Sequence, residues 1–252
     1  MTSNSAAPRM LRQPESKSMH RIVGMIGGMG PEATVDLMRR VVAKTPAQDD
    51  QDHIHLIVEN NPKIPSRIAH LIEGTGADPT PELVRIAGNL QRAGADALAI
   101  PCNTAHAYAH SIRRAVSIPL LDMVALTVDQ IALSRRAARV GMLASTAVLS
   151  TELYSKAFLA HGIDTVLPRR QEEVMALIKA VKRGDTGVQT QAALGRIALE
   201  TANQADVLLI ACSELSVIAS SITVPFVDSL DVLAQAIVTF AKSSMGEQDL
   251  RR

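Results

Sequence analysis

The chain is poor in aromatic side chains. Tryptophan is absent, and aromatic residues make up only 2% of the 252 residues. Single-stranded nucleic acids and sugars are commonly bound by stacking on aromatic rings, so this composition argues against such ligands. The net charge is +1, and the chain therefore lacks the basic surplus that attracts nucleic acids or acidic membranes. We expect neither a nucleic acid nor a membrane as its partner.

Long apolar runs and numerous cysteines are missing as well. No segment approaches the roughly 18 unbroken apolar residues that a membrane-spanning helix needs. Residues 1–19 are polar and lack the apolar stretch of a secretory signal, so we predict a disordered tail there and take the cytoplasm as the default location. Two cysteines are too few for a disulfide scaffold in a chain of this length. They are either inert buried thiols or reactive groups, depending on where they lie.

Apolar residues make up 47% of the chain, which is ample for one large or two smaller domains. Short apolar runs predict buried parallel strands, with amphipathic stretches typical of helices between them. The predicted strands are 22–26, 54–58, 96–100, 139–143, 163–167 and 206–210, with shorter ones at 118–121 and 224–227; the predicted helices include 31–44, 170–182, 187–204 and 229–243. This alternation predicts an α/β fold in which helices flank mainly parallel sheets.

An internal repeat runs through the chain. The segment ADALAIPCNTA matches ADVLLIACSEL, and this match aligns Cys102 with Cys212. The segment RIVGMIGGM matches ARVGMLAST, and SIPLLDMV matches TVPFVDSL, which aligns Asp122 with Asp228. Three matches in the same order predict two pseudo-symmetric α/β domains with an active site in the cleft between them.

The repeat also suggests domain boundaries. We place the second domain at 119–223 and the first at 20–118 plus 224–246, because the last helix is expected to return and cover the first half.

Each cysteine follows a predicted buried strand and precedes a predicted helix. Ligands of open parallel sheets bind at the carboxyl ends of the strands, and the positive end of a helix lowers the pKa of a nearby thiol towards neutrality. If the two halves face each other, Cys102 and Cys212 lie on opposite sides of the cleft. Inverting a stereocentre needs a base on one face and an acid on the other, which a thiolate and a thiol can provide. The pair therefore predicts two-base exchange of an α-proton.

Removing an α-proton places negative charge beside the substrate carboxylate. No lysine stands in a context typical of a pyridoxal cofactor, so we expect no cofactor, and hydrogen-bond donors must stabilise the charge. Polar residues that directly follow the cysteines, or that end the strand at 139–143, are predicted to bind the carboxylate: Asn103, Thr104, Ser145, Thr146 and Ser213. The same residues are equally suited to cap helices.

At CNTAH, residues 102–106, the chain resembles the aspartate/glutamate racemase family, part of the Asp/Glu/hydantoin racemase superfamily. The resemblance covers most of residues 21–240: GMIGGMGPEAT resembles the family's opening strand and loop, NNPKIPSR its substrate-side-chain loop, and ACSEL its second cysteine motif, GCTEL. It implies a pyridoxal-independent amino-acid racemase, usually dimeric, with Cys102 and Cys212 as the catalytic residues. The implied substrate is an acidic amino acid, aspartate first and glutamate second.

The resemblance also implies which residues bind the substrate side chain. Arg67 resembles the arginine that binds the distal carboxylate, and Lys182 resembles a lysine that some members place at the same end. The chain departs from the family pattern at Ser66, where aspartate is common, and at Ala147 and Val148, where a Gly-Thr pair is usual. The last change is expected near the substrate pocket.

Two further patterns point to other chemistry. The loop GMGPEA fits the G-x-G-x-x-A dinucleotide pattern, with Glu59 where a ribose-binding acid could lie. The matching loop of the second half lacks these glycines, so we interpret the first loop as a close backbone approach to substrate, with Met29 near the pocket. Cys102, His106 and His110 fall at steps of four, as in some metal sites, but no acid stands between the histidines. We interpret the histidines as packing or capping residues and expect no metal.

Three functional hypotheses remain at this point. The first is a racemase of acidic amino acids, which exchanges the α-proton with solvent. The second is a related isomerase or racemase acting on hydantoins or maleate; maleate isomerisation moves no α-proton. The third is a protein that binds a small dicarboxylate without turning it over.

Overall fold

The computed structural model describes residues 20–134 and 137–243, and the predicted tail at 1–19 lies outside them. The described residues contain two four-stranded sheets, in which every neighbouring pair of strands is parallel. The first consists of β1 (Val23–Gly27), β2 (Leu56–Asn60), β3 (Ala97–Ala99) and β4 (Leu120–Leu121), and the second of β5 (Arg139–Ala144), β6 (Asp164–Val166), β7 (Val207–Ala211) and β8 (Phe226–Asp228). The strand orders β2-β1-β3-β4 and β6-β5-β7-β8 are equivalent. The predicted fold of two pseudo-symmetric α/β halves is confirmed.

Helices cover the faces of both sheets. They are α1 (Pro31–Lys44), α2 (Thr80–Arg92), α3 (Ala109–Ala115), α4 (Met123–Leu133), α5 (Thr146–Ser150), α6 (Ser155–Leu159), α7 (Gln171–Lys182), α8 (Val188–Ala202), α9 (Ser213–Val217) and α10 (Ser229–Lys242). Short 3-10 turns lie at Asp50–Asp52, Thr104–Tyr108 and Ala219–Ser221, and a π-helical turn lies at Ala69–Glu73. Within 20–134 and 137–243, no helix has the length and apolar character needed to cross a membrane.

The repeat seen in the sequence extends to individual contacts. The Asp96 carboxylate accepts a hydrogen bond from the backbone N–H of Ile22 at 2.7 Å, next to the start of β1. The Asp206 carboxylate accepts one from the N–H of Arg139, the first residue of β5, at 2.8 Å. Aligned aspartates thus anchor the first strand of each half, which explains why both halves carry an Ala-Asp pair at this point.

The short strands β4 and β8 belong to different sheets. β4 pairs with β3 in the first sheet, whereas β8 pairs with β7 in the second. The helix after each of these strands then covers the other sheet. In α4, Val124 and Val128 pack with β5, and α10 packs in one apolar cluster with β1 and β3. The two halves therefore exchange a helix, which ties them together.

The buried face of α1 differs from the apolar spacing in the sequence. Val41 is buried, but Val35, Met38 and Val42 are exposed to 56%, 38% and 54%. The buried side includes Asp36, whose carboxylate accepts hydrogen bonds from Arg39 and Arg40. A polar residue thus occupies the inner face because it is paired there, which a pattern of apolar residues cannot reveal.

Arg40 joins the two halves behind the cleft. Its guanidinium pairs with Asp36 at 2.8 Å and with Asp228 at 2.7 Å, and it donates to the Ser216 carbonyl at 3.2 Å. We expect Arg40→Met to lower the free energy of unfolding by about 3–5 kcal/mol, because it leaves the buried Asp228 carboxylate without its cation. Urea denaturation measures the loss.

Arg39 provides the control, since it pairs with the same Asp36 but is 71% exposed. Arg39→Met should cost less than about 1 kcal/mol. Equal losses for the two variants would contradict the role assigned to Arg40.

Candidate active site

A small cavity lies between the two halves, where the carboxyl ends of β3 and β7 meet. Both halves contribute to its wall, which contains Met29, Ser66, Arg67, Ile68, Cys102, Thr104, Ser145, Ile178, Lys182, Cys212 and Glu214. Seven of the ten residues predicted for the site are in this set. The free volume is about 30 Å³, room for one or two water molecules.

The two cysteines open onto this one cavity from opposite halves. Cys102 lies just beyond β3 and ahead of the 3-10 turn Thr104–Tyr108, and Cys212 lies between β7 and α9. Their residue exposures are 5% and 6%, so both thiols are shielded from bulk solvent. The equivalent placement follows from the repeat, because each cysteine ends the corresponding strand of its sheet.

Glu214 holds the Cys212 thiol. The Cys212 Sγ donates to Glu214 Oε2 at 3.2 Å, and Glu214 Oε1 lies 3.6 Å from the Lys182 ammonium. Burial, together with the charge and hydrogen bond of Glu214, raises the pKa of the Cys212 thiol well above its ordinary value. The sequence argument from the helix N-terminus predicted the opposite direction and is wrong for Cys212. Backbone N–H groups of α9 do lower the pKa, but burial and the carboxylate outweigh them.

Two cations reach the cavity from opposite halves. Arg67 precedes the π-helical turn of the first half, and Lys182 is the last residue of α7 in the second. The Arg67 Nη1 donates to the carbonyl oxygens of Pro65 at 2.8 Å and Ile64 at 3.3 Å, which fixes the guanidinium. Its Nε is buried and has no hydrogen-bond partner among the described residues. A buried donor without a partner favours an anionic ligand at this point.

Lys182 and Glu214 lie between the cavity of the cysteines and a neighbouring one. Both residues also line a cavity of about 300 Å³ formed by the start of α1 and the end of α7. The Lys182 side chain is 42% exposed, whereas that of Glu214 is 10% exposed. The Lys182–Glu214 ion pair thus lies between the larger cavity and the cavity that contains the cysteines.

Hydroxyl groups face each other across the cleft. Thr104 Oγ1 of the first half lies 3.4 Å from Ser145 Oγ of the second. Ser145 also caps α5, since its Oγ accepts the N–H of Val148 at 3.3 Å. Both hydroxyls line the cavity, so Ser145 combines the capping and cavity positions that the sequence suggested.

Three predicted site residues do not line the cavity. The Asn103 amide accepts from the Tyr154 hydroxyl at 2.6 Å and donates to Ser229 Oγ at 3.1 Å. The Ser213 hydroxyl donates to the Pro101 carbonyl at 2.9 Å, and the backbone N–H of Thr146 faces the Met175 sulfur at 3.3 Å. The side chains of Asn103 and Ser213 thus bind other parts of the protein, and their three bonds cross between the repeats.

The structure also shows where the residues that depart from the family pattern lie, and where the dinucleotide-like loop lies. Ser66 lines the cavity, whereas Ala147 and Val148 are buried and follow Ser145, which lines it. Met29 lines the cavity beside Gly28, where a Cβ would lie 2.3 Å from the Asn61 backbone. That close approach requires glycine.

Sequence reasoning did not assign a role to Glu214. The residue is visible in ACSEL, two positions after the cysteine, but in a short polar segment nothing indicates which way its side chain points. Ile68 and Ile178 were missed for the simpler reason that apolar residues of a cavity wall resemble core residues.

Comparisons with known proteins agree with this arrangement. A family model described as Asp/Glu/hydantoin racemase matches residues 26–237. One relative, the broad-specificity amino-acid racemase RacX of Bacillus subtilis (strain 168), is 28% identical over 225 residues, which is 86% of this chain and 97% of the relative.

Solved structures include similar proteins. The aspartate racemase of Picrophilus torridus is 33% identical, with a TM-score of 0.81 over 88% of this chain and 94% of that one. An aspartate racemase homologue from Pyrococcus horikoshii OT3 is 19% identical, with a TM-score of 0.68 over 88% of this chain and 100% of that one. The second likeness concerns the fold alone.

Proposed function

Because the chain belongs to the Asp/Glu/hydantoin racemase family, we propose that it is a cofactor-independent racemase of acidic amino acids, with aspartate as the first substrate and glutamate as the second. The observation that carries the proposal is that Cys102 and Cys212 open onto one cavity from opposite halves. The likeness to an aspartate racemase at 33% identity supports aspartate.

The proposed chemistry uses one thiolate and one thiol. The thiolate on one side takes the α-proton, an S–H bond forms, and the electron pair of the broken C–H bond moves into the carboxylate. The thiol on the other side then gives its proton to the opposite face of the carbon, which inverts the centre. Cys212, held protonated, suits the acid role, and Cys102 is the base in that direction. In the reverse direction Cys212 must first lose its proton, and Glu214 is the nearest acceptor.

Hydrogen-bond donors stabilise the charge that develops on the α-carboxylate. Thr104 and Ser145 present hydroxyls to the cavity from the two halves, 3.4 Å apart. Backbone N–H groups at the start of the segments after each cysteine have no partner within the helix and are further donors available to the carboxylate. Asn103 and Ser213 would contribute to carboxylate binding through these backbone groups, and their side chains bond to the other half. Thr146 would contribute through its position in the first turn of α5.

Arg67 and Lys182 would bind the distal carboxylate of the substrate. The Nε–H of Arg67 has no partner within the described part of the chain and can donate to a carboxylate. The Lys182 ammonium lies 3.6 Å from Glu214 and could bind a substrate oxygen in place of that carboxylate. Met29 and Ser66 complete the wall around the substrate. The acidic side chain of the substrate would thus neutralise the positive charge that Arg67 and Lys182 bring to the cavity.

The test is direct. The purified protein is incubated with single enantiomers of aspartate, glutamate and alanine, and both enantiomers are quantified by chiral chromatography. We expect L- and D-aspartate to converge on an equal mixture, with glutamate slower and alanine slower still. Tight aspartate binding without conversion would instead identify a binding protein. Conversion of maleate or a hydantoin alone would identify a related isomerase.

The role of Glu214 gives a separate prediction. Glu214→Gln keeps the size of the side chain but removes its charge, so the pKa of Cys212 should fall. In a Cys102→Ser background, the midpoint of the pH dependence of Cys212 alkylation by iodoacetamide should therefore move to lower pH. Glu32→Gln, which changes an acid of the neighbouring cavity, is the matched control and should leave the midpoint in place. A midpoint unaffected by Glu214→Gln contradicts this role.

We also propose that the protein is a homodimer, as the family resemblance implies. Sedimentation equilibrium should give twice the chain mass of 26.9 kDa. A species of single-chain mass at micromolar concentration would contradict a stable dimer.

A further inference from the structure

His106 connects the first cysteine to a helix that crosses between the halves. It lies four residues after Cys102 and is 5% exposed. Its Nδ1 is 3.0 Å from the carbonyl oxygen of Cys102, and its Nε2 is 3.2 Å from the backbone nitrogen of Met123, the first residue of α4. Because α4 packs on the second sheet, the imidazole bridges a cysteine of one half and a helix of the other.

The two contacts fix the protonation of the ring. The Met123 N–H can only donate, so Nε2 must be an unprotonated acceptor. Nδ1 then carries the hydrogen and donates it to the Cys102 carbonyl. Burial lowers the pKa of His106 and keeps the ring neutral. The nearby charges act in opposite directions, since Asp122 raises this pKa and Arg113 lowers it.

The second half contains a counterpart of different chemistry. Ser216 lies four residues after Cys212, and its Oγ is 3.4 Å from the carbonyl oxygen of Cys212 and 2.7 Å from Asp228 Oδ1. Asp228 caps α10, as Asp122 caps α4. In both halves, therefore, the fourth residue after the cysteine lies between the cysteine carbonyl and the start of the exchanged helix. Only His106 bonds to both, because the single hydroxyl hydrogen of Ser216 goes to Asp228, the shorter contact.

We propose that His106 is a positioning residue for Cys102. Its side chain fixes the peptide of Cys102 against the exchanged helix and so aims the sulfur into the shared cavity. The inference rests on the proposed racemase function, because it concerns the geometry of the two thiols. It adds that the Cys102 thiol is aimed by a contact that has no equivalent at Cys212 among the described residues, so the half-reaction of Cys102 can be disturbed alone.

Two substitutions separate the two contacts of His106. Asparagine places its amide nitrogen near the position of Nδ1 and can still donate to the Cys102 carbonyl, but it does not reach Met123. Glutamine places its amide oxygen near the position of Nε2 and can still accept from Met123, but it loses the bond to Cys102. If His106 only fills space, the two variants should behave alike. If it positions Cys102, His106→Asn should retain function that His106→Gln loses.

The experiment follows each cysteine alone. In a Cys212→Ala background, the remaining α-proton exchange of aspartate in deuterium oxide depends on Cys102. We expect His106→Gln to slow this exchange at least about 10-fold and His106→Asn to slow it less than about threefold, the range expected when one positioning hydrogen bond is lost or kept. In a Cys102→Ala background, where the exchange depends on Cys212, His106→Gln should leave it within about twofold. His110→Gln, an exposed change on α3, is the control for a histidine substitution.

The outcomes are distinct. Equal effects of His106→Gln in both backgrounds, or equal effects of the asparagine and glutamine variants, overturn the proposal. Absence of exchange in the unmodified protein overturns the racemase function instead. In that case the rate of Cys102 alkylation by iodoacetamide in a Cys212→Ser background still tests the positioning role, which predicts a slower reaction with His106→Gln than with His106→Asn.

Discussion

Cys102→Ala and Cys212→Ala should each reduce racemisation of aspartate by about 10³-fold or more, since each removes a positioned acid or base. The remaining cysteine can still take a proton from one enantiomer and return a solvent proton to the same face. Each variant should therefore exchange the α-proton of one enantiomer only, and the two variants should act on opposite enantiomers. Proton NMR in deuterium oxide measures this for L- and D-aspartate separately.

This complementary pattern distinguishes two opposed bases from other arrangements. If both variants exchanged the same enantiomer, the two thiols would act on the same face. If Cys212→Ala retained racemisation, Cys212 would be a buried thiol of the cavity wall, and Cys102 would act with a different acid.

Arg67→Gln should lower kcat/KM for aspartate by about 100-fold or more, because two charge-assisted hydrogen bonds to the distal carboxylate are worth about 3 kcal/mol together. Alanine has no distal carboxylate, so its kcat/KM should change less than about threefold. The ratio of kcat/KM for aspartate to kcat/KM for alanine should therefore fall. Steady-state kinetics with both amino acids measures the change.

Lys63 offers the control for Arg67. It lies in the same loop, carries the same charge and is exposed outside the cavity. Lys63→Gln should leave the ratio of aspartate to alanine activity unchanged. A parallel loss of both activities in Arg67→Gln would show that Arg67 supports the loop and does not select the substrate.

The fold could be predicted from the sequence because its signal is repeated. Short apolar runs mark the strands, and the alignment of Cys102 with Cys212 carries the pseudo-symmetry that the two sheets display. Domain boundaries are harder to predict, because β4 and β8 each remain in one sheet while the next helix crosses to the other. Which sheet a helix covers depends on contacts between distant segments, which local periodicity does not contain.

The sequence indicates which residues lie near the candidate site better than it indicates where their side chains point. A residue that follows a parallel strand lies near the edge where ligands bind, and both cysteines line one cavity at this edge. The direction of Asn103 depends on Tyr154 and Ser229, which are remote in sequence. The protonation of Cys212 depends likewise on burial and on Glu214. Both are consequences of packing, so the residue types alone did not reveal them.

The most direct test follows a single enantiomer in deuterium oxide during the first few per cent of conversion. Two thiols on opposite faces of one carbon predict that newly formed D-aspartate carries deuterium at the α-position while the remaining L-aspartate still carries protium, and the converse when the reaction starts from D-aspartate. Product that retains the original hydrogen, or substrate that gains deuterium as fast as product forms, would contradict the opposed pair of Cys102 and Cys212.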